Sequence, residues 1–143
     1  MYIQQLSIFV ENKPGRLASI TKLLKDNDID IRALSVADTR DFGIMRLIVN
    51  NPQKAEQVFK EAGCTVSLTN VIGIGINDKP GGLSDAMDIL YANNISVEYM
   101  YAFISKADNI ANVILRVENN DKAVEALKDS NIQILSPEEI YSM

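Results

Sequence analysis

The sequence predicts an α+β protein of two βαββαβ units, each an antiparallel sheet with its helices on one face. Three observations carry this. First, Glu11-Asn12-Lys13-Pro14-Gly15-Arg16-Leu17 recurs 66 residues later as Asn77-Asp78-Lys79-Pro80-Gly81-Gly82-Leu83. Second, apolar residues keep the same spacing in both copies: Leu6, Ile8 and Val10 match Ile72, Ile74 and Ile76, and Leu24 matches Leu90. Third, strand-like and helix-like periodicities alternate in the same order in each copy. Past the central hairpin the offset becomes 68, pairing Met45, Leu47 and Val49 with Val113, Leu115 and Val117, so the second copy carries two extra residues there.

In the first copy, Leu6, Ile8 and Val10 alternate with Gln5, Ser7 and Phe9, the pattern of a strand with one well-buried face. Pro14 suits the first turn of a helix, where its missing N–H costs nothing. Leu17, Ile20, Leu23 and Leu24 then follow at helical spacing, predicting an amphipathic helix from about Gly15 to Asn27. Ile29 to Asp38 and Phe42 to Val49 read as a hairpin joined through Thr39-Arg40-Asp41. Asn51-Pro52 starts a second helix with Ala55, Val58, Phe59 and Ala62 inward, and Gly63 ends it before a strand near Thr65 to Thr69.

The second copy repeats the order: a strand from Val71 to Ile76, a helix from Gly82 to Ala92, a hairpin within Ser96 to Val117, a helix near Asp121 to Ser130 and a strand from Ile132 to Leu135. Pro137-Glu138-Glu139-Ile140 adds a terminal turn. The boundary falls between 69 and 70, giving units 1–69 and 70–143, and Val66 to Ile76 is almost continuously extended, with no linker. A unit of this size buries only roughly 60% of its unfolded surface, so the halves are expected to fuse their sheets or dimerise.

Composition narrows the chemistry. With 47% hydrophobic and 23% charged residues the chain reads as globular, and no apolar run approaches the ~20 residues that span a bilayer. No basic stretch leads into an apolar core at Met1-Tyr2-Ile3-Gln4-Gln5, so a cytoplasmic protein is expected. A net charge of −5 opposes nucleic-acid binding. There is no histidine, one cysteine (Cys64, read as a buried strand residue) and no evident carboxylate pair, so neither catalysis, nor a metal, nor a cofactor is expected.

A βαββαβ unit with a Pro-Gly loop between its first strand and first helix resembles the ACT domain, a ferredoxin-like module that senses small molecules for enzymes of amino-acid metabolism. Both copies carry the pattern, and Asn12-Lys13-Pro14-Gly15-Arg16 is similar to the loop of serine-sensing members. The resemblance implies a regulatory protein that binds an amino acid at the loops, near a seam between ACT units, as a homodimer. An enzyme of amino-acid metabolism is the implied partner.

The loop chemistry fits that expectation. A helix N-terminus offers unpaired N–H groups and about half a positive charge to a carboxylate. The candidate cradles are the N–H groups near Gly15, Arg16 and Leu17, and near Gly81, Gly82 and Leu83, each entered through Pro14 or Pro80. Asn12 and Asp78 are the candidate partners of a ligand ammonium group. By the resemblance, Asp30 and Ser96, at the start of the second strand of each copy, face the ligand as well. Against this stands the plainer reading, in which Asn12 and Asp78 cap their helices and the glycines serve a tight turn.

The copies differ, with Arg16 against Gly82, and Ala33 and Ser35 against Tyr99 and Tyr101, so unequal sites are expected. Tyr91, Tyr99, Tyr101 and Phe103 either line an apolar pocket or serve as core or interface. Arg46 and Arg116 are placed on the sheet face opposite Leu47 and Leu115, and Gly73 and Gly75 leave one face of their strand bare, open to another strand or a ligand and read as a place for packing between the copies. The alternative function is a non-catalytic interaction subunit of a metabolic enzyme, its loops merely structural.

Overall fold

The computed structural model describes residues 2–38, 41–104 and 108–143, the side chain of Asp38 excepted. Thr39 and Arg40, expected to turn the first hairpin, lie outside the described residues, as do residues 105–107 of the second hairpin. The elements run β1 (Ile3–Glu11), α1 (Arg16–Asp26), β2 (Ile31–Asp38), β3 (Phe42–Val49), α2 (Pro52–Glu61) and β4 (Val66–Asn77). They continue with α3 (Gly82–Ala92), β5 (Val97–Ala102), β6 (Ile110–Val117), α4 (Asn120–Leu127), β7 (Gln133–Leu135) and α5 (Pro137–Tyr141). The strands expected at Thr65–Thr69 and Val71–Ile76 are one twelve-residue strand, β4.

The chain divides into two compact units. The N-terminal unit holds Gln4–Thr69 and Ile140–Met143, and the C-terminal unit holds Met1–Ile3 and Asn70–Glu139.

In the N-terminal unit the strand order is β2-β3-β1 followed by the first part of β4, and the β1–β3 and β2–β3 pairs are antiparallel. Register sets the faces, because directly opposed residues share one side of a sheet. Leu6 faces Leu47 and Ile8 faces Met45, and with Val10 and Val49 they meet Ile20 and Leu24 of α1 and Ala55 and Phe59 of α2. Asn51 caps α2 by accepting the Lys54 N–H at 3.2 Å, with Pro52 at the first helical position. Ala62, expected inward, is exposed because the helix ends at Glu61 and Ala62 is its C-cap.

The second face of β1 departs from a simple polar pattern. Gln5 is fully buried, and its amide donates to Ser7 Oγ at 3.1 Å, while Phe9 is 58% exposed. Arg46 lies on that face, opposite Ser7 and Ser35 in register.

In the C-terminal unit the order is β5-β6-β4, with β7 on the other side of β4. Ile72, Ile74 and Ile76 pack with Val113, Leu115 and Val117 beneath Ala86 and Leu90 of α3 and Ala123 and Leu127 of α4. Asn119 caps α4 as Asn51 caps α2, accepting the Lys122 N–H at 3.0 Å. The bare face at Gly75 is filled from within the unit, since a Cβ there would meet Ile110, Asn112 and Gln133 side chains at 3.2 to 3.4 Å. Arg116, on the same face, pairs with Glu98 at 3.4 Å.

Candidate functional site

Each Pro-Gly loop is built the same way. The last residues of β1 and β4 feed a loop hung from the adjacent hairpin, where the Asn12 N–H donates to Asp41 O at 3.1 Å and the Asp78 N–H to Asn109 O at 2.8 Å. The chain then turns through a left-handed glycine, Gly15 at φ 89, ψ −11 and Gly81 at φ 90, ψ −13. That region is open to glycine at no steric cost. The glycine is the N-cap of the following helix, and neither α1 nor α3 has a side-chain cap. The capping reading of Asn12 and Asp78 therefore does not describe this loop.

The first helical N–H groups are already used: Arg16 donates to Lys13 O at 3.4 Å and Gly82 to Lys79 O at 3.0 Å. The next two positions, Leu17 and Ala18 or Leu83 and Ser84, belong to the first turn, whose N–H groups lack intrahelical acceptors. Asn12, Pro14, Leu17, Asp78, Pro80 and Leu83 are all exposed around the turn. Gly82 alone is buried among the glycines of the loops, because a Cβ there would stand 2.1 Å from the Asn77 carbonyl oxygen. The first copy has Arg16 in its place, so the two loops close to different degrees.

Beside each loop lies a groove between the first helix of the unit and the approach to its last strand. In the N-terminal unit it measures about 370 Å³ and is lined by Arg16, Ser19, Ile20, Lys22, Leu23, Asp26, Ala62 and Cys64. In the C-terminal unit it measures about 500 Å³, with Asn77, Lys79, Gly82, Asp85, Asp88, Ile89, Ser130 and Ile132 among its walls. These grooves are repeat equivalents. Gly82, Asp85, Asp88 and Ile89 stand 66 residues after Arg16, Ser19, Lys22 and Leu23, and Ser130 and Ile132 stand 68 after Ala62 and Cys64. Cys64, expected inside a strand, is half-buried on a groove wall just before β4.

The electrostatics of the grooves differ. Arg16 and Lys22 make the first predominantly basic; Asp85 and Asp88 make the second predominantly acidic. Arg16 Nε is shielded from solvent and has no hydrogen-bond partner, a donor left open beside the loop. Glu11 forms a 2.8 Å ion pair with Lys13, and the hydrogen bond from that ammonium, helped by the charges of Lys13 and Arg16, holds the Glu11 carboxyl below its ordinary range. Among the described residues no group of three or more His, Cys, Asp or Glu side chains is placed to hold a metal ion.

Asp30 and Ser96 are not brought to the loops of their own units. Each follows the far end of a helix of eleven residues, about 16 Å along its axis from the Pro-Gly turn. Ser96 lines a separate cleft of about 160 Å³ with Asn94, Glu98, Glu118, Asn119 and Lys122. Asp30 donates its N–H to Asn50 Oδ1 at 3.0 Å, and its carboxylate pairs with Arg32. Arg32 was given no role by its sequence position; its Nε donates to Ile140 O at 3.1 Å and its Nη2 to Tyr141 O at 3.0 Å. A partner 108 residues away leaves no local signal.

The aromatic residues also separate. Tyr99 and Tyr101 oppose Arg116 and Ile114, on the sheet face away from the helices, whereas Tyr91 sits on α3 and is 85% exposed. They do not form one pocket with Tyr91. The groove residues Ser19, Lys22, Asp85 and Asp88 were missed, although a charge comparison of α1 with α3 at the 66-residue offset would have marked them.

Comparison with known proteins places this architecture. The pattern of the ACT domain pair matches residues 1–143. A solved structure of a protein from Bacteroides thetaiotaomicron is 39% identical, with a TM-score of 0.93 over 100% of this chain and 98% of that one. The regulatory subunit of aspartate kinase from Thermus thermophilus, in its ligand-free form, superposes at a TM-score of 0.65 with 14% identity, covering 90% of this chain and 91% of that one. Aspartate kinase from Synechocystis superposes at 0.61 with 16% identity over 95% of this chain but 27% of its own length. The two kinase likenesses establish fold. No functionally curated protein matches the sequence.

Proposed function

The chain belongs to the family of ACT domain pairs, and from that membership we propose that it is a non-catalytic, small-molecule-sensing regulatory protein that takes an amino acid at its Pro-Gly loops. The observation that carries this reading is the recurrence of one uncapped left-handed glycine turn beside a groove in both units. Such a turn presents first-turn N–H groups and the positive end of a helix to a carboxylate. Asn12 and Asp78 stand at the mouth of each loop with side chains that the caps do not use, and they are the proposed partners of the ligand ammonium.

The two sites differ in ligand preference. The Arg16 groove, with its open Nε donor, suits a ligand carrying an additional anionic or acceptor group. The Asp85–Asp88 groove disfavours one. Regulation then follows from differential affinity, because a ligand shifts an equilibrium only by binding one state better. No helix among the described residues is long and apolar enough to cross a membrane, and the proposed setting is the cytoplasm, with an enzyme of amino-acid metabolism as the regulated partner.

Calorimetry of the wild type against the twenty amino acids tests the reading. Binding is expected, weakened by Asn12→Ala at one site or Asp78→Ala at the other. Absence of heat with every amino acid at millimolar concentration overturns it. A second reading, a protein-interaction subunit, draws on Leu34 and Val36, both exposed on the edge strand β2. Co-purification with a metabolic enzyme, indifferent to every amino acid, would favour it.

A further inference from the structure

The outer faces of α1 and α3 are repeat equivalents that have acquired opposite charge. The α1 helix carries Arg16, Lys22 and Lys25 against the single acidic residue Asp26, a net +2. The α3 helix carries Asp85 and Asp88 and no basic residue, a net −2. Lys22, Lys25, Asp85 and Asp88 are exposed. The equivalent pair α2 and α4 shows no such inversion, since α2 balances Lys54 and Lys60 with Glu56 and Glu61, and α4 holds Asp121, Lys122 and Glu125.

The order of the charges matters as much as their sum. Along the N-terminal groove, from the start of α1 to its end, the signs run plus at Arg16, plus at Lys22 and minus at Asp26. Along the C-terminal groove, from the last turns of α3 back to its loop, they run minus at Asp88, minus at Asp85 and plus at Lys79. Laid antiparallel, the two rows oppose every charge with its opposite. At 1.5 Å per residue Arg16 and Lys22 are about 9 Å apart and Asp85 and Asp88 about 4.5 Å, within the reach of long basic side chains. Leu23 and Ile89, both half-buried at equivalent positions, give each groove an apolar floor.

We propose that the α1 face of one copy of this chain docks antiparallel on the α3 face of a second copy, with Arg16 and Lys22 meeting Asp88 and Asp85. The contact joins two unlike surfaces, so it closes into a dimer when both copies reciprocate and extends otherwise. Charge complementarity of this kind sets partner and register more than raw affinity. The Lys22–Asp26 pair within α1, at 3.0 Å, does not compete strongly, because exposed i,i+4 pairs contribute little. This surface shares Arg16, Lys22, Asp85 and Asp88 with the walls of the two grooves, but it rests on the inversion of charge and does not require that a ligand binds there.

Sedimentation in about 0.1 M and about 1 M salt, where the Debye length falls from roughly 10 Å to roughly 3 Å, reads the proposal directly. The wild type is expected to exceed the mass of one chain in low salt and to dissociate in high salt. Lys22→Glu alone and Asp85→Lys alone should each weaken self-association at least about tenfold, the scale of one lost charge pair at an interface. Both positions are exposed, so folding is retained and is checked by circular dichroism. Mixing the two variants should restore association, since Glu at 22 of one then meets Lys at 85 of the other. A monomeric wild type, single variants of unchanged mass, or a mixture that stays apart each overturns the proposal. Amino-acid binding is measured on the wild type alone, so failure here leaves the ligand reading untouched.

Discussion

Gly82→Ala should destabilise the C-terminal unit, although the same change at most helix positions would help. A Cβ at residue 82 would stand 2.1 Å from Asn77 O and 3.2 Å from the Asn77 carbonyl carbon. Ordinary contact begins near about 3.5 Å, so the carbonyl or the start of α3 must retreat by more than about 1 Å. Overpacking of that size costs about 1–3 kcal/mol. The gain from replacing glycine is smaller, about 0.4–1 kcal/mol through the unfolded chain. The net loss of about 1–2 kcal/mol corresponds to a fall of roughly 5–15 °C in Tm for a unit of this size. The Gly82 N–H bond to Lys79 O, 3.0 Å long, should lengthen with it. Tyrosine fluorescence during thermal unfolding reports the unit through Tyr99 and Tyr101, which lie in β5. Arg16→Ala is the control, because the first loop already accommodates a Cβ at the equivalent position and its Tm should move far less. If Gly82→Ala melts at or above the wild-type temperature, the loop does not close against Asn77 and the asymmetry between the two sites loses its structural basis.

Two further outcomes are expected. Arg32→Met should cost about 2–4 kcal/mol and raise hydrogen exchange across residues 140–143, because two bonds from a charged donor to the Ile140 and Tyr141 carbonyls are lost around a side chain only 12% exposed; unchanged exchange there would show that the guanidinium does not hold the segment. The Glu11 carboxyl, held below its ordinary value by Lys13, contributes stability above the unfolded value and loses it as pH falls through the lower folded value, and carboxyl NMR should show Lys13→Ala moving that titration back up.

Much of this molecule is written in its repeat. The two Pro-Gly loops, the element order and the inward sets Leu6, Ile8, Val10 and Ile72, Ile74, Ile76 follow from spacing alone, because strand alternation and helical spacing are local consequences of backbone geometry. The helix from Gly82 to Ala92 has the bounds its periodicity predicts, with glycine and proline punctuating its start. The Asn51 cap ahead of Pro52 follows from the same short-range chemistry.

What stayed illegible depends on partners far away in sequence. The burial of Gln5 and the exposure of Ala62 are set by what covers each face and by where a helix ends. The grip of Arg32 on Ile140 and Tyr141 joins residues more than a hundred positions apart. Asp30 and Ser96 resemble loop partners by pattern, yet a full helix separates each from the loop of its own unit. The grooves depend on tertiary packing too, since they exist only once the first helix of each unit lies against the approach to its last strand. Sequence by itself determined two equivalent frames with a glycine turn in each, because both are local backbone requirements. Only the tertiary structure decided that the basic row of α1 and the acidic row of α3 each border a groove, because the opposite walls, at Ala62 and Cys64 and at Ser130 and Ile132, are brought there by folding and not by chain order.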